Sequence, residues 1–394
     1  MLFQTLDDKA ECFGIYTNGQ IHYTSFPSNL TQTWNYTPHL LNASVEYAQV
    51  YSGGKSLAEA CPEHLKPEWD GVTAKMKAYL TSFSEAKISL SEHCFYNLVP
   101  ERFLVDLCEA KNNICQFVFE NYEKPQNYDF MLEVVKLITD IGNYSLSIDK
   151  QSMRARLGSN QGRVFWRGFD QMSRYVKYNA YGTKTGRLST QKGSFPILTL
   201  NKDFRDIVTP NNDWLVELDF NAAELRTLLA LSGEAQPEED IHLWNVKNVY
   251  RGLVSREEAK QRIFAWLYNP DSRDRLSSRA YKRDDVLGSH WDGRIVSTPF
   301  GRQIEADKKH ALNYLVQSTS SDVFLERAVA LHNFLRDKKS RISMLIHDSV
   351  ILDLAECDMQ ELKKIVNIFS ETRYGRYKVG VSAGKSFGSM RRIR

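Results

Sequence analysis

The chain has 394 residues, of which 42% are hydrophobic and 25% charged, a balance that suits one or two packed cores and excludes a disordered or fibrous protein. Its net charge is only +3, from 51 basic and 48 acidic residues, so any polyanionic partner must be met by local clusters of charge. No run reaches the length of a membrane span, and the opening MLFQTLDDKAECF carries acids where a signal peptide is apolar, so a cytoplasmic chain with no membrane partner is expected.

In residues 1–60, GIYTNGQIHY alternates around Asn18-Gly19 and predicts a hairpin with a type I′ turn. From about Pro67 to Tyr144 three segments, WDGVTAKMKAYLTSF, PERFLVDLCEAKNNICQFVF and YDFMLEVVKLITDI, space their apolar residues as helices do. The cysteines Cys12, Cys61, Cys94, Cys108, Cys115 and Cys357 form no C-x-x-C pair and have no histidines at zinc-site spacing, so free thiols are expected. Residues 154–187 interleave Arg and Lys with aromatics, which suits phosphates and stacked bases but suits a solvated face equally well. Beyond Pro210, strand-like WLVELDF and MLIHDSVILDL alternate with helix-like EEAKQRIFAWLY and SSDVFLERAVALHNFL, the pattern of an α+β domain.

Two acids stand out in that second half. Asp219 closes an apolar strand that runs into the helix-like AAELRTLLAL, and Asp348 sits in a His-Asp turn between two apolar runs. If those strands are neighbours, the carboxylates converge and repel in a low-dielectric site, and a divalent cation resolves the conflict. Oxygen-only ligation with open positions suits Mg²⁺, two of which can clamp the attacking and leaving oxygens of an in-line displacement; Mn²⁺ would substitute.

Ser255 through Glu258 form a capping box, so a helix begins there. Along it Arg256, Lys260, Phe264 and Tyr268 recur every fourth residue, a stripe roughly 18 Å long at helical rise. Two cations followed by two aromatics match a nucleoside triphosphate lying along the helix, though a solvated helix with its rings in a core gives the same pattern.

These residues resemble the polymerase motifs of family A, the DNA polymerase I type. LDFNAAELR (218–226) is similar to the first motif, with Asp219, Glu224 and Arg226 in place; RxxxKxxxFxxxY (256–268) fits the second; LIHDSVIL (345–352) fits the third. TKTGRLS (183–189), DIH (240–242), NYLVQSTSSD (313–322) and VGVSAGKSF (379–387) agree with flanking motifs, and the likeness runs from about Thr183 to Phe387. The resemblance implies a right-hand polymerase fold with an antiparallel palm sheet and a helical thumb. Its expected parts are an N-terminal segment 1–60, a thumb 61–155, a palm from 156–235 and 301–394, and fingers 236–300.

It also implies roles. Asp219 and Asp348 would hold two Mg²⁺ ions. Arg256, Lys260 and His242 would grip the triphosphate of a dNTP, with Lys260 as general acid for the leaving pyrophosphate. Phe264 and Tyr268 would meet the incoming nucleotide, and Glu224 would stand where a ribose 2′-OH would fall. Arg187, Arg226, Asn313, Gln317 and His347 would contact primer–template DNA. The expected enzyme is a monomer, with room for replication accessory proteins.

Some positions depart from the family pattern. Ser349 replaces the acid usual after His-Asp, which removes a third carboxylate and matches single-subunit RNA polymerases instead. The segment between Tyr268 and Thr298 is short, so trimmed fingers are expected. Residues 1–150 hold no D-x-E, and the sixty residues before the helices are too few for an exonuclease fold, so proofreading in cis is not expected. Gly380 to Ser386 imitates a P-loop with one residue too few between its glycines. Two alternatives remain: an RNA polymerase or primase on the same fold, and an inactive homologue that only binds primer–template.

Overall fold

The computed structural model describes residues 2–8, 14–37, 45–90, 92–154, 157–169, 173–269 and 271–393. They fall into two compact units, 1–145 and 146–394.

The first unit joins the N-terminal strands to the helices. Ile15–Thr17 and Gln20–His22 pair antiparallel across Asn18 (φ 48°) and Gly19 (φ 76°), the two left-handed residues that a type I′ turn requires. This hairpin belongs to a five-stranded sheet, and its Tyr16 is buried with Leu6 against Phe103, Leu104 and Leu107. The three expected helices are Lys66–Glu85, Glu101–Asn121 and Tyr128–Asn143. Described residues of the 1–60 segment, Leu6, Tyr16 and Ala60 among them, therefore share one core with the first two of these helices, and the unit ends ten residues before the thumb boundary expected at 155. Cys61, Cys94, Cys108, Cys115 and Cys357 are free thiols, and burial pushes Cys94, Cys108 and Cys115 up to about 12; Cys12 lies outside the described residues.

The second unit is built on an antiparallel sheet. Its strands, in spatial order, are Arg341–Ile346, Ser349–Leu354, Trp214–Phe220, Val379–Gly384 and Arg391–Arg392. Trp214–Phe220 lies at the centre, with Leu215, Val216, Leu218 and Phe220 buried, and Phe220 stacks on Phe369 of the helix Leu362–Ser370 at 4.3 Å between ring centroids. The 25-residue helix Ala311–Leu335 packs on Ala223–Leu231 and on Leu362–Ser370. Helices Ile241–Asn248 and Arg256–Tyr268 are held by a separate apolar cluster that includes Ile241, Ile263, Trp266, Leu312 and Leu315. No strand-to-helix phosphate loop exists at Gly380 to Ser386: Lys385 donates to the Asp213 carbonyl at 2.7 Å and lies over the Trp214 ring.

Candidate active site

The two acids meet because of the sheet register. Asp219 is directly opposite Ser349 in the neighbouring strand, and Asp348 precedes Ser349 in the tight turn after Ile346. His347 makes that turn with φ 54°, a left-handed conformation that histidine tolerates better than most residues. Strand alternation adds an acid that the sequence reading overlooked: Glu217, two residues before Asp219, shares its face of the sheet. The expected loss of a third carboxylate at Ser349 is thus accompanied by a carboxylate from the adjacent strand, and the signal for it was the E-x-D spacing.

Electrostatics bear out the crowding. Asp219 has access to solvent, yet burial of its surroundings, followed by the charges of Asp348 and Glu217, pushes its carboxyl up to about 7, with Arg392 opposing. Asp348 is also raised, first by burial and then by Glu224, against its own backbone amide, His347 and Arg187. Glu217 is raised by burial, with Asp348 adding to the effect and Arg205 opposing it. Among the described residues no group of three or more His, Cys, Asp or Glu side chains is gathered for a metal. Two crowded oxygen donors without a full cage fit Mg²⁺, which is ordinarily held by one or two carboxylates plus substrate phosphates.

Next to the acids is a cavity of about 300 Å³ whose lining includes Arg187, Glu224, Phe264, Tyr268, His347 and Asp348. Glu224 is only 9% exposed and is held from two sides, by the Arg187 guanidinium on Oε1 and the Tyr268 hydroxyl on Oε2. Phe264 and Tyr268 stack on each other, 6.0 Å between centroids and 11° between planes, as their four-residue spacing requires.

The helix that carries those rings begins at the expected capping box: the Ser255 hydroxyl accepts from the Glu258 amide, and the Glu258 carboxylate accepts from the Ser255 amide. Lys260 is exposed on it. Arg256 forms a two-point pair with Asp240, Nη2 to Oδ2 at 2.9 Å and Nε to Oδ1 at 3.2 Å. His242 is 3% exposed under Phe264, ring centroids 5.7 Å apart; burial, then the charges of Arg256 and Lys260, lower its pKa. The ring lies beneath the stripe, and its Nδ1 has no partner among the described residues.

Arg187 belongs to a loop closed by Thr183, whose hydroxyl donates to the Arg187 carbonyl at 2.8 Å. Gly186 in that loop has φ 73°, and a Cβ there would stand 2.6 Å from Cζ of Arg302. Arg302 in turn makes a two-point pair with the buried Asp322, at 2.7 and 2.8 Å, and Ser321 donates to the Gly186 carbonyl at 3.2 Å. Asn313 and Gln317 lie two turns and one turn before Ser321 on the same helix face, half-buried. Sequence reasoning missed Arg302 altogether.

Arg226 departs from expectation. It is fully buried, and its guanidinium donates to the carbonyls of Asn221, Pro237 and Glu239 and to the Asn221 side chain, so it has no surface to offer DNA. It pins the chain that leaves the helix Ala223–Leu231.

No protein-family model matches the chain. Over 251 residues it is 25% identical to the thermostable DNA polymerase I of Thermus caldophilus, covering 51% of this chain and 30% of that relative. It is 23% identical over 266 residues to DNA polymerase I of Chloroflexus aurantiacus, covering 54% and 28%. The chain thus spans about 30% of the length of the first of these relatives. Among solved structures it is similar to the POL domain of Pol1 from M. smegmatis in complex with DNA primer-template and dNTP, with a TM-score of 0.57, 14% identity, and coverage of 73% of this chain and 76% of that one. The resemblance to DNA polymerase I expected from the motifs is found in sequence, and the expected polymerase-domain fold is found in structure.

Proposed function

We propose that this chain is a template-directed DNA polymerase that extends a primer 3′-OH with dNTPs and carries no proofreading activity of its own. The observation that supports this best is the juxtaposition of Asp219 and Asp348, on adjacent strand ends, with the Glu224–Tyr268–Phe264 pocket beside them. A protein that only gripped DNA has no use for two raised carboxylates next to a pocket of nucleotide scale.

In the reaction the primer 3′-oxygen loses its proton and attacks the α-phosphorus of the dNTP, and the bond to pyrophosphate breaks. Divalent cations held by Asp219 and Asp348 would supply charge stabilisation at the attacking and leaving oxygens. Lys260, exposed on the second turn of its helix, would protonate the leaving pyrophosphate, with Arg256 fixing the outer phosphates. Phe264 offers a face to the base and sugar. Glu224 lines the pocket and would stand where a 2′-OH would enter. Arg187 and His347 line the same pocket, and with Asn313 and Gln317 of the helix Ala311–Leu335 they would contact primer–template; Arg226 is left out of that set. The central sheet with its helices would be the palm, 236–300 the fingers and the first unit's helices the thumb.

His347-Asp348-Ser349 favours a second reading, an RNA-polymerase-like enzyme on the same fold. Glu224, rigidly held in the pocket, argues against ribonucleotides. One primer-extension experiment with dNTPs, rNTPs and a mismatched primer end tests all three points. Extension with dNTPs in strong preference, with the mismatch left in place, is expected. Equal use of rNTPs would replace this reading with the second, and absence of any extension with either would reject both.

A further inference from the structure

Asp240 is bonded more heavily than a helix cap needs. Its Oδ1 accepts from the backbone amides of His242 at 3.0 Å and Leu243 at 3.1 Å, which caps the helix Ile241–Asn248, and also from Arg256 Nε at 3.2 Å. Its Oδ2 accepts from Arg256 Nη2 and Asn221 Nδ2, both at 2.9 Å. A carboxylate has about four lone-pair sites, so this one is saturated and cannot swing without releasing a cap. Burial alone would raise its pKa, but the Arg256 bonds, the Leu243 amide and Asn221 outweigh burial and hold it well below the usual carboxylate range.

Asn221 extends the chain of bonds to the metal strand. It lies two residues after Asp219, its Oδ1 accepts from the Ile241 amide at 2.9 Å and from Arg226 Nη2 at 3.2 Å, and its own amide donates to the Lys378 carbonyl at 2.9 Å. Arg256 therefore stands at the end of a continuous run of hydrogen bonds that starts beside Asp219.

We propose that Asp240 is a positioning residue: it presents the Arg256 guanidinium to the triphosphate in a fixed orientation and, through Asn221, fixes that orientation relative to the strand end carrying Asp219. This rests on reading the Arg256 helix as the triphosphate site. Arg256 is otherwise a long side chain on the first turn of a helix, with its side chain 39% exposed, free to spread over many rotamers. Asp240 takes the Nε edge and one Nη2 hydrogen, which leaves further guanidinium hydrogens for phosphate oxygens; Nη1 also meets the exposed Glu257 at 2.5 Å, a contact that a phosphate would outcompete.

The test measures dNTP affinity on a dideoxy-terminated primer–template, so that no chemistry occurs, for wild type, Asp240→Asn, Asp240→Ala, Arg256→Ala and the Asp240→Ala/Arg256→Ala pair. Asn caps a helix about as well as Asp, so Asp240→Asn separates the ion pair from the cap. Expected are a loss of about tenfold or more for Arg256→Ala, a loss of roughly fivefold for Asp240→Asn with melting temperature and primer–template affinity close to wild type, and a double variant within about twofold of Arg256→Ala. Unchanged or tighter dNTP binding in Asp240→Asn, or additive losses in the pair, would overturn the proposal while leaving the site reading intact. Unchanged binding in Arg256→Ala would instead remove the site reading, and the proposal with it.

Discussion

Tyr268 and Arg187 hold the carboxylate of Glu224 from opposite sides, one on each oxygen. A side chain tied at both oxygens cannot move aside for an added hydroxyl. Glu224→Ala should therefore raise rNTP use relative to dNTP by roughly tenfold or more, at some cost in rate, because rejection in a tight polar site reaches a few kcal/mol. Steady-state incorporation of dNTP against rNTP reads this. An unchanged ratio would remove Glu224 from sugar selection.

Asp219→Ala and Asp348→Ala should each lower extension by roughly a thousandfold or more, since catalysis of phosphoryl transfer is mainly electrostatic. Primer–template affinity should stay within a few-fold, because phosphate contacts spread over many cations. Ser349→Ala should be mild: its hydroxyl donates to the Ile346 carbonyl at 3.1 Å and is a poor ligand for a hard cation. A Ser349→Ala loss as deep as that of Asp348→Ala would mean that the serine has a part in the chemistry.

The raised carboxyl of Asp219, at about 7, has a sign that thermal melting can read. In the unfolded chain it titrates near 3.8, so the folded protein binds the proton more tightly. That contribution to stability is fully present below the unfolded value and is lost as pH rises through about 7. In EDTA, wild type should lose stability between pH 5.5 and 8 relative to Asp219→Asn, and Mg²⁺ should restore it at the alkaline end, with affinity rising with pH as the ion displaces a proton. Parallel pH profiles for the two proteins would contradict the raised value.

Gly186→Ala should destabilise by about 2 kcal/mol, since it combines a left-handed backbone position with a Cβ driven into the Arg302 guanidinium. Denaturant melting measures it. A shift under about 0.5 kcal/mol would show that the Arg302–Asp322 pair yields easily.

What could be read from the sequence was local. The Asn18-Gly19 hairpin, the Ser255 capping box and the four-residue stripe of the Arg256 helix are set by neighbours within a few positions, and each appears where its spacing put it. Asp219 and Asp348 were legible because strand ends mark themselves by apolar runs. Arg226 was misread because most of its partners are backbone carbonyls of Asn221, Pro237 and Glu239, which have no side-chain signature. Arg302 was missed for a similar reason: its partner Asp322 is 20 residues away in sequence, and nothing local pairs them. That His242 is buried under Phe264 is a tertiary fact that its motif does not carry.

The pairing of Asp219 with Ser349 also says which changes to this protein evolution can tolerate. A strand repeats its side-chain direction every two residues, so deleting one residue between Trp214 and Leu218 would turn either the acid or the buried apolar row to the wrong face. The chain cannot lose the acid's aim while keeping its core, and a frame error in this strand is removed by misfolding before it can yield a folded but inert enzyme. An insertion or deletion in this strand therefore costs fold and acid together.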